Sequence, residues 1–272
     1  MKNKSNLHTH TTFSDGKNSM EEMIRAAISK GFVSLGISDH APSIYEADYA
    51  LPADRIAEYR REFFRLKEKY RDKIQIYLGI EMDALSDLPA DGFDYVIGSV
   101  HNLLDNEGNC YSVDHVPEAV ERGIRKLCGG DEKLYVYGYF DTLCSMAEKR
   151  KPDIIGHMDL FMKLNGNSRF FDVDSAWYRS LCADIAARIA AVGRIVEVNT
   201  ALAKYPGRNI PYPSPFMLTR LAREGVSVTL TSDSHHADTL DFWFDEALAL
   251  LKHCGFRAVK QLHDNKFIDL EI

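Results

Sequence analysis

Short apolar runs alternate along the chain with longer stretches in which apolar residues recur every three or four positions. The short runs span Val33 to Ser38, Ile74 to Ile80, Tyr95 to Val100, Asp153 to Gly156, Arg194 to Val198 and Val226 to Leu230, and all are rich in Val, Ile or Leu. Runs of that length and content predict buried strands. The longer stretches predict helices. Ser19 and Glu22 form a capping box ahead of Met20, Met23, Ile24, Ala27 and Ile28, and Gly31 ends that helix. A second helix is expected from about Asp54 to Tyr70, with Ile56, Tyr59, Phe63 and Leu66 inward. One or two more fill Val116 to Lys149 with a break at Gly129-Gly130, and another runs from Asp174 to Val192. A further helix starts near Ser214, with Pro215 at its first position, and ends at Gly225; the last covers Leu240 to His253. Asn102 to His115 and Lys163 to Phe171 read as loops, and Arg257 to Ile272 as a short strand with a closing segment. Regular alternation of strand and helix implies a parallel sheet. With about seven β/α units, a closed barrel is favoured over an open doubly wound sheet. No repeat, linker or low-complexity tract divides the chain, which predicts one domain over residues 1–272.

Composition narrows the function. The 272 residues are 45% hydrophobic and 27% charged, enough for a large core. A net charge of −7 supplies no basic face for a long polyanion, so nucleic acid is not expected as a partner, whereas a small phosphate in a local cationic pocket is. The five cysteines are scattered and form no C-x-x-C, which argues against a disulfide framework and fits a reducing cytoplasm. No signal peptide and no membrane-spanning run is apparent, so no membrane partner is expected. Neither a G-x-G-x-x-G nor a P-loop follows the early strands.

The chemistry lies at the strand ends. Each predicted strand finishes in a residue able to bind metal or orient a ligand: His8 and His10, His40, Glu81, His101, His157, Asn199, then Asp233 and His235. Six of the ten histidines fall there. Alone, each has an ordinary explanation as a turn residue or a hydrogen-bonded core histidine. Their shared position at the edge where barrel active sites gather is the informative fact. In L-H-T-H, residues two apart in an extended segment point the same way, and the S-D-G turn folds Asp15 back beside them. Nine side chains (His8, His10, Asp15, His40, Glu81, His101, His157, Asp233 and His235) exceed what one ion takes. They predict two or three divalent ions, zinc, manganese or iron, bridged by a carboxylate. Such a centre suits phosphoryl hydrolysis by a metal-bridging hydroxide.

The segments L-H-T-H-T-T-F-S-D-G, G-I-S-D-H, G-I-E-M-D, D-Y-V-I-G-S-V-H, D-I-I-G-H-M-D, V-E-V-N-T-A and T-S-D-S-H together resemble the polymerase and histidinol phosphatase (PHP) superfamily. They are most similar to its monofunctional histidinol-phosphate phosphatase branch, over Leu7 to about Asp245. The resemblance implies a distorted (β/α)7 TIM-like barrel with its metal site at the C-terminal ends of the strands. It implies one metal on His8, His10, Glu81 and Asp233, a second on Glu81, His101 and His157, and a third on Asp15, His40 and His235. The implied substrate is a small phosphate monoester, L-histidinol phosphate, with another small phosphate ester or nucleotide as the alternative. Asp233 and His235, with His236 beside them, are the implied proton donors. The branch usually carries arginine after N-T-A; here Lys204 stands in, with Arg208 behind it. Lys163 or Arg169 supplies the basic residue expected after G-H-M-D. The substrate's ammonium and imidazole are expected to meet Glu46, Asp48 or Asp159.

Overall fold

The computed structural model describes residues 4–272. Residues 1–3, where the one-domain reading and the search for a signal peptide begin, lie outside the described residues. In chain order the elements are β1 (Lys4–Asn6), α1 (Met20–Ser29), β2 (Phe32–Ile37), α2 (Ile56–Tyr70), β3 (Gln75–Asp83), β4 (Tyr95–Ser99), β5 (Asn102–Leu104) and β6 (Cys110–Ser112). Then come α3 (Pro117–Cys128), α4 (Glu132–Arg150), β7 (Ile154–Ile155), α5 (Ala176–Val192), β8 (Ile195–Asn199), α6 (Pro215–Arg223), β9 (Val228–Thr231), α7 (Phe244–Cys254), β10 (Ala258–His263) and β11 (Lys266–Glu271).

Seven strands pair in parallel in the order β1-β2-β3-β4-β7-β8-β9. The two edges of this sheet meet just past the strand ends. Thr9 pairs with Ser234, His10 N donates to Ser234 O at 2.9 Å, and Ser234 N donates to His8 O at 3.2 Å. The sheet is thus rolled into the expected distorted (β/α)7 barrel, with a seam at the C-terminal edge of the strands. No helix among the described residues is long and apolar enough to cross a membrane.

The lower barrel is filled by Leu7, Tyr77, Tyr95, Ile97 and Ile154, together with Leu262 of β10. The antiparallel β10–β11 hairpin stoppers that end, and Gln75 at the start of β3 donates to Asp264 in its turn at 2.7 Å. Tyr95 lies across the interior, and its hydroxyl donates to Leu7 O. Room for it comes from two glycines: a Cβ on Gly36 would sit 1.9 Å from the Tyr95 hydroxyl, and one on Gly79 would sit 2.2 Å from its ring.

The helix signals hold locally. Ser19 and Glu22 form the capping box, with Ser19 N donating to Glu22 Oε2 at 2.7 Å, and Gly129 and Gly130 separate α3 from α4 with φ of 62° and 96°. Two expectations change. The last helix starts at Phe244, not Leu240. Leu240 O accepts Asn6 Nδ2 and Ser232 Oγ, and Phe242 O accepts Thr200 Oγ1, so carbonyls of its expected first turn hold the barrel seam instead. The segment read as the loop Asn102 to His115 contains the β5–β6 hairpin. Its strands are three residues each, too short for a period-two signal, and its turn is closed by Asp105 Oδ1 accepting Glu107 N and Asn109 N, each at 2.9 Å.

Candidate metal centre

β1 ends at Asn6, so His8 and His10 sit on the extended segment beyond it, at the seam. Asp15 is returned to them by a tight turn. Asp39 organises that turn: its Oδ1 accepts Thr11 N at 2.7 Å and Ser14 Oγ at 2.5 Å, and its Oδ2 accepts Thr11 Oγ1 at 2.9 Å. Gly16 closes it, because a Cβ there would meet the His10 and Thr11 backbone at 2.5 Å. Asp15 Oδ1 then lies 3.7 Å from His10 Nδ1. His40 follows β2, Glu81 lies inside β3, His101 follows β4, His157 follows β7, Asn199 ends β8, and Asp233 and His235 follow β9.

Glu81 is the hub. Its Oε1 is 2.9 Å from His157 Nε2 and 3.4 Å from His101 Nε2. Its Oε2 is 3.2 Å from His8 Nε2, 3.6 Å from His10 Nε2 and 3.0 Å from His40 Nδ1. One carboxylate therefore faces two sets of imidazoles with its two oxygens. Asp233 Oδ1 lies 3.1 Å from His10 Nε2 and 3.7 Å from His8 Nε2. Asp15 Oδ2 lies 3.0 Å from His235 Nε2, and Asp15 Oδ1 3.8 Å from His40 Nε2. His10 thus reaches both ways, its Nε2 toward Asp233 and its Nδ1 toward Asp15.

The electrostatics follow from packing opposite charges where most of the groups are buried. Burial opposes ionisation of Glu81, but the rings of His8, His40 and His101 outweigh it and hold its carboxyl well below the usual range. Burial and the neighbouring His235 and His40 rings push His10 down to about 3, so it is a neutral donor of lone pairs. His8 goes the other way: burial lowers it, and the Glu197, Asp233 and Glu81 carboxylates together raise it well above its ordinary value.

Several rings are oriented from behind. His8 Nδ1 donates to Glu197 Oε2 at 2.8 Å, His101 Nδ1 to Glu46 Oε1 at 3.0 Å, and His235 Nδ1 to the Asp233 carbonyl at 3.1 Å. With Nδ1 keeping its proton on these acceptors, Nε2 is the nitrogen that faces the cluster and would offer its lone pair once a cation displaces any proton there, as outer carboxylates do for metal-bound histidines. Glu197 is buried and fully used: it also accepts His157 N at 2.6 Å, Asn199 Nδ2 at 2.9 Å and Thr231 Oγ1 at 2.9 Å. Neither Glu197 nor Glu46 stands out as an orienting residue in the sequence. The i, i+2 relation of Glu197 to Asn199 on a strand is a usable signal; Glu46, in a long loop, gives none. Glu46 Oε1 serves His101, Tyr49 and Asn102, and Glu46 does not line the cavity above the cluster, where a substrate ammonium was expected to meet it.

The donor set fits a metal. Buried His8 Nε2, both nitrogens of His10, His40 Nδ1, Glu81 Oε2 and Asp233 Oδ1 have no hydrogen-bond partner. Each such atom costs about 1–3 kcal/mol if left unsatisfied, and all face the same few ångströms of space. Imidazole and carboxylate groups converge within ligand reach as His10/Asp15/His40/His235, His8/His10/Asp233, His8/Glu81/His157 and His40/Glu46/His101. The arrangement suits divalent cations.

The family model for the PHP domain matches residues 6–201. The chain belongs to the PHP domain family. It is 26% identical over 261 residues to a probable histidinol-phosphatase of Schizosaccharomyces pombe, covering 88% of this chain and 82% of that one. It is 24% identical to the histidinol-phosphatase of Lactococcus lactis, over 93% of this chain and 92% of the relative. The crystal structure of the Lactococcus lactis histidinol phosphate phosphatase, complexed with zinc, L-histidinol and phosphate, superposes with a TM-score of 0.76 at 24% identity, covering 97% of this chain and 98% of that one.

A cavity of about 660 Å³ opens over this PHP centre, lined by Asp15, His40, His101, His157, Asp233 and His235 and by Tyr49, Asp114, Lys163, Lys204 and Tyr205. Lys204 and Lys163 thus face it. Lys204 Nζ donates to the Ser232 and Asp233 carbonyls at 2.9 and 3.2 Å, and burial lowers its pKa. Arg208 is a correction: its Nη2 donates to Met162 O and Lys163 O, both at 2.7 Å, so it braces the loop carrying Lys163 and does not line the cavity. Arg169 pairs with Glu121 on the surface. His236 caps the turn at Ala237–Thr239 by accepting Asp238 N, away from the centre. Asp159 is buried and accepts Ser214 N at 2.8 Å, so it too lies outside the cavity lining. A second cavity, about 410 Å³, lies outside the barrel between Ser86 and Pro152 and holds none of these groups.

Proposed function

We propose that the chain is a metal-dependent phosphomonoesterase that hydrolyses L-histidinol phosphate to L-histidinol and phosphate. The observation that carries the reading is Glu81, whose two oxygens face two groups of imidazoles, the group on Oε2 with orphaned ring nitrogens, beneath a substrate-sized cavity. Relatives aligned over most of both lengths carry that activity in their names. The proposed holders are His8, His10, Glu81 and Asp233 for one ion, Glu81, His101 and His157 for a second, and Asp15, His40 and His235 for a third, with zinc the first ion to test. Divalent ions bound there supply an acidified water and neutralise phosphate charge.

The chain's own residues do the rest. Lys204 and Lys163 attract the phosphate as point charges, without the fork that arginine provides. Asp233 and His235 line the cavity at its floor and handle the proton that the leaving alcohol needs. Asn199 Nδ2 holds Asp233 Oδ2 at 3.2 Å and keeps that carboxylate aimed inward. We read residues 1–272 as one catalytic domain working in the cytoplasm, a reading supported by free Cys110, Cys128, Cys144, Cys182 and Cys254.

Steady-state turnover of L-histidinol phosphate, p-nitrophenyl phosphate and a mononucleotide, with elemental analysis of the purified protein, tests this. Preferred turnover of the first, lost on chelation and regained with Zn²⁺ or Mn²⁺, is expected. Preference for the mononucleotide overturns the substrate, and undiminished turnover in a metal-stripped His8→Ala variant overturns the metal.

A further inference from the structure

The cavity holds one charged pair that the metal centre does not use. Asp114, on the loop after β6, and Lys163, closing the turn Leu160–Lys163, reach across from different loops and meet at 2.8 Å. Their side chains keep only 22% and 23% of their surface open. Ser112 Oγ donates to Asp114 Oδ1 at 3.3 Å, and the Lys163 ammonium stands 5.8 Å from the Tyr205 ring centre. The other carboxylates lining the cavity are Asp15 and Asp233, which face the imidazole cluster, and Asp48, which is exposed. Asp114 is therefore the one shielded carboxylate of the lining whose partner is a lysine.

A phosphate dianion entering this cavity draws on Lys163. If Lys163 turns to the phosphate, Asp114 loses its cation in a poorly hydrated place, and a shielded charge left without its partner is destabilising. A substrate that brings its own ammonium avoids this, because both members of the pair then exchange one partner for another.

We propose that Asp114 recognises a substrate ammonium. The Asp114–Lys163 pair opens on binding, Lys163 turns to the phosphate and Asp114 to the ammonium, so the site selects phosphate esters of amino alcohols over simple phosphomonoesters. This inference rests on the phosphatase reading above and assigns its specificity to a residue.

The test compares L-histidinol phosphate with its deamino analogue, which keeps the imidazole and phosphate and lacks the amine, on the metal-loaded protein. Wild type is expected to favour the amine-bearing ester by on the order of 100-fold in kcat/KM, since a site built for an N–H group rejects a ligand lacking it and partial exposure softens the rejection. Asp114→Asn collapses that ratio toward one, mainly through KM for L-histidinol phosphate, and calorimetric binding of L-histidinol weakens in parallel. Equal wild-type turnover of the two esters overturns this inference while leaving the phosphatase reading intact. Turnover of neither ester overturns the phosphatase reading; calorimetry with L-histidinol then decides the role of Asp114 separately, since undiminished binding by Asp114→Asn, or no binding by wild type, overturns it. If Asp114→Asn fails to fold, the wild-type ratio and Asp114→Glu, expected to retain part of the preference, carry the same decision.

Discussion

Glu197→Gln is the most informative single substitution. It changes one buried oxygen into an NH2 and leaves the volume nearly unaltered. The new side-chain amide keeps its oxygen where the structure needs an acceptor, facing His157 N at 2.6 Å and Asn199 Nδ2 at 2.9 Å. Its NH2 must then face His8 Nδ1 and Thr231 Oγ1, the groups now 2.8 and 2.9 Å from Glu197 Oε2. An NH2 donates, so His8 Nδ1 must accept and the ring proton moves to Nε2. That nitrogen faces Glu81 and Asp233 and is the one proposed to hold metal. Loss of an outer carboxylate of this kind weakens metal affinity by about 10–100-fold, or about 1.4–2.7 kcal/mol. The assay is metal titration against a competing chelator, followed by turnover of L-histidinol phosphate at saturating metal. We expect weaker binding, with activity largely regained at high metal concentration. Affinity equal to wild type, in a protein that melts normally, refutes the role assigned to Glu197 and the Nδ1 tautomer of His8.

Three further predictions concern other parts of the molecule. Lys204→Met, at the cavity, should reduce kcat/KM by at least about tenfold through lost phosphate attraction, whereas Arg208→Met should act mainly on stability, since Arg208 braces carbonyls; equal kinetic losses refute the distinction. Gly79→Ala should lower stability by at least about 1–3 kcal/mol, because the new methyl would lie 2.2 Å from the Tyr95 ring; a denaturant midpoint within error of wild type counts against that packing. Burial pushes the Asp159 carboxyl up to about 6, with the Ser214 N–H resisting, so the folded protein retains a proton the unfolded chain has lost between about pH 4 and 6. Its contribution is fully present below about pH 4 and is lost as pH rises through about 6, a swing of about 3 kcal/mol; Asp159→Asn should remove that slope from the pH dependence of unfolding, and parallel curves for the two proteins count against it.

The barrel was legible because its strands and helices carry their own periodicity and caps. Strands alternating with helices imply strand ends gathered on one edge, and that placed His8, His10, Asp15, His40, Glu81, His101, His157, Asp233 and His235 around one space. What escaped the sequence was the layer behind them. Glu46 reaches His101 from a loop with no period, so nothing local announces the contact. Arg208 reads as a cavity cation because charge is visible in a sequence and the direction of a side chain is not. Asp114 was hidden by reading Asn102 to His115 as an unstructured loop; the three-residue strands of β5 and β6 bring it to the cavity. His10 also stands between two of the proposed metal positions, since it presents one nitrogen to Asp233 and the other to Asp15.

The pairing of Thr9 with Ser234 joins the first barrel segment to the last. During synthesis the pocket therefore stays incomplete until β9, the last of the seven barrel strands, emerges and docks. A cation that prefers the finished pocket would act as a clasp on that joint, because it would bind the folded chain better than its precursors. Stripping them should loosen the amides of His10 and Ser234 before those deep in the barrel, which hydrogen exchange on the apo and loaded forms can read directly.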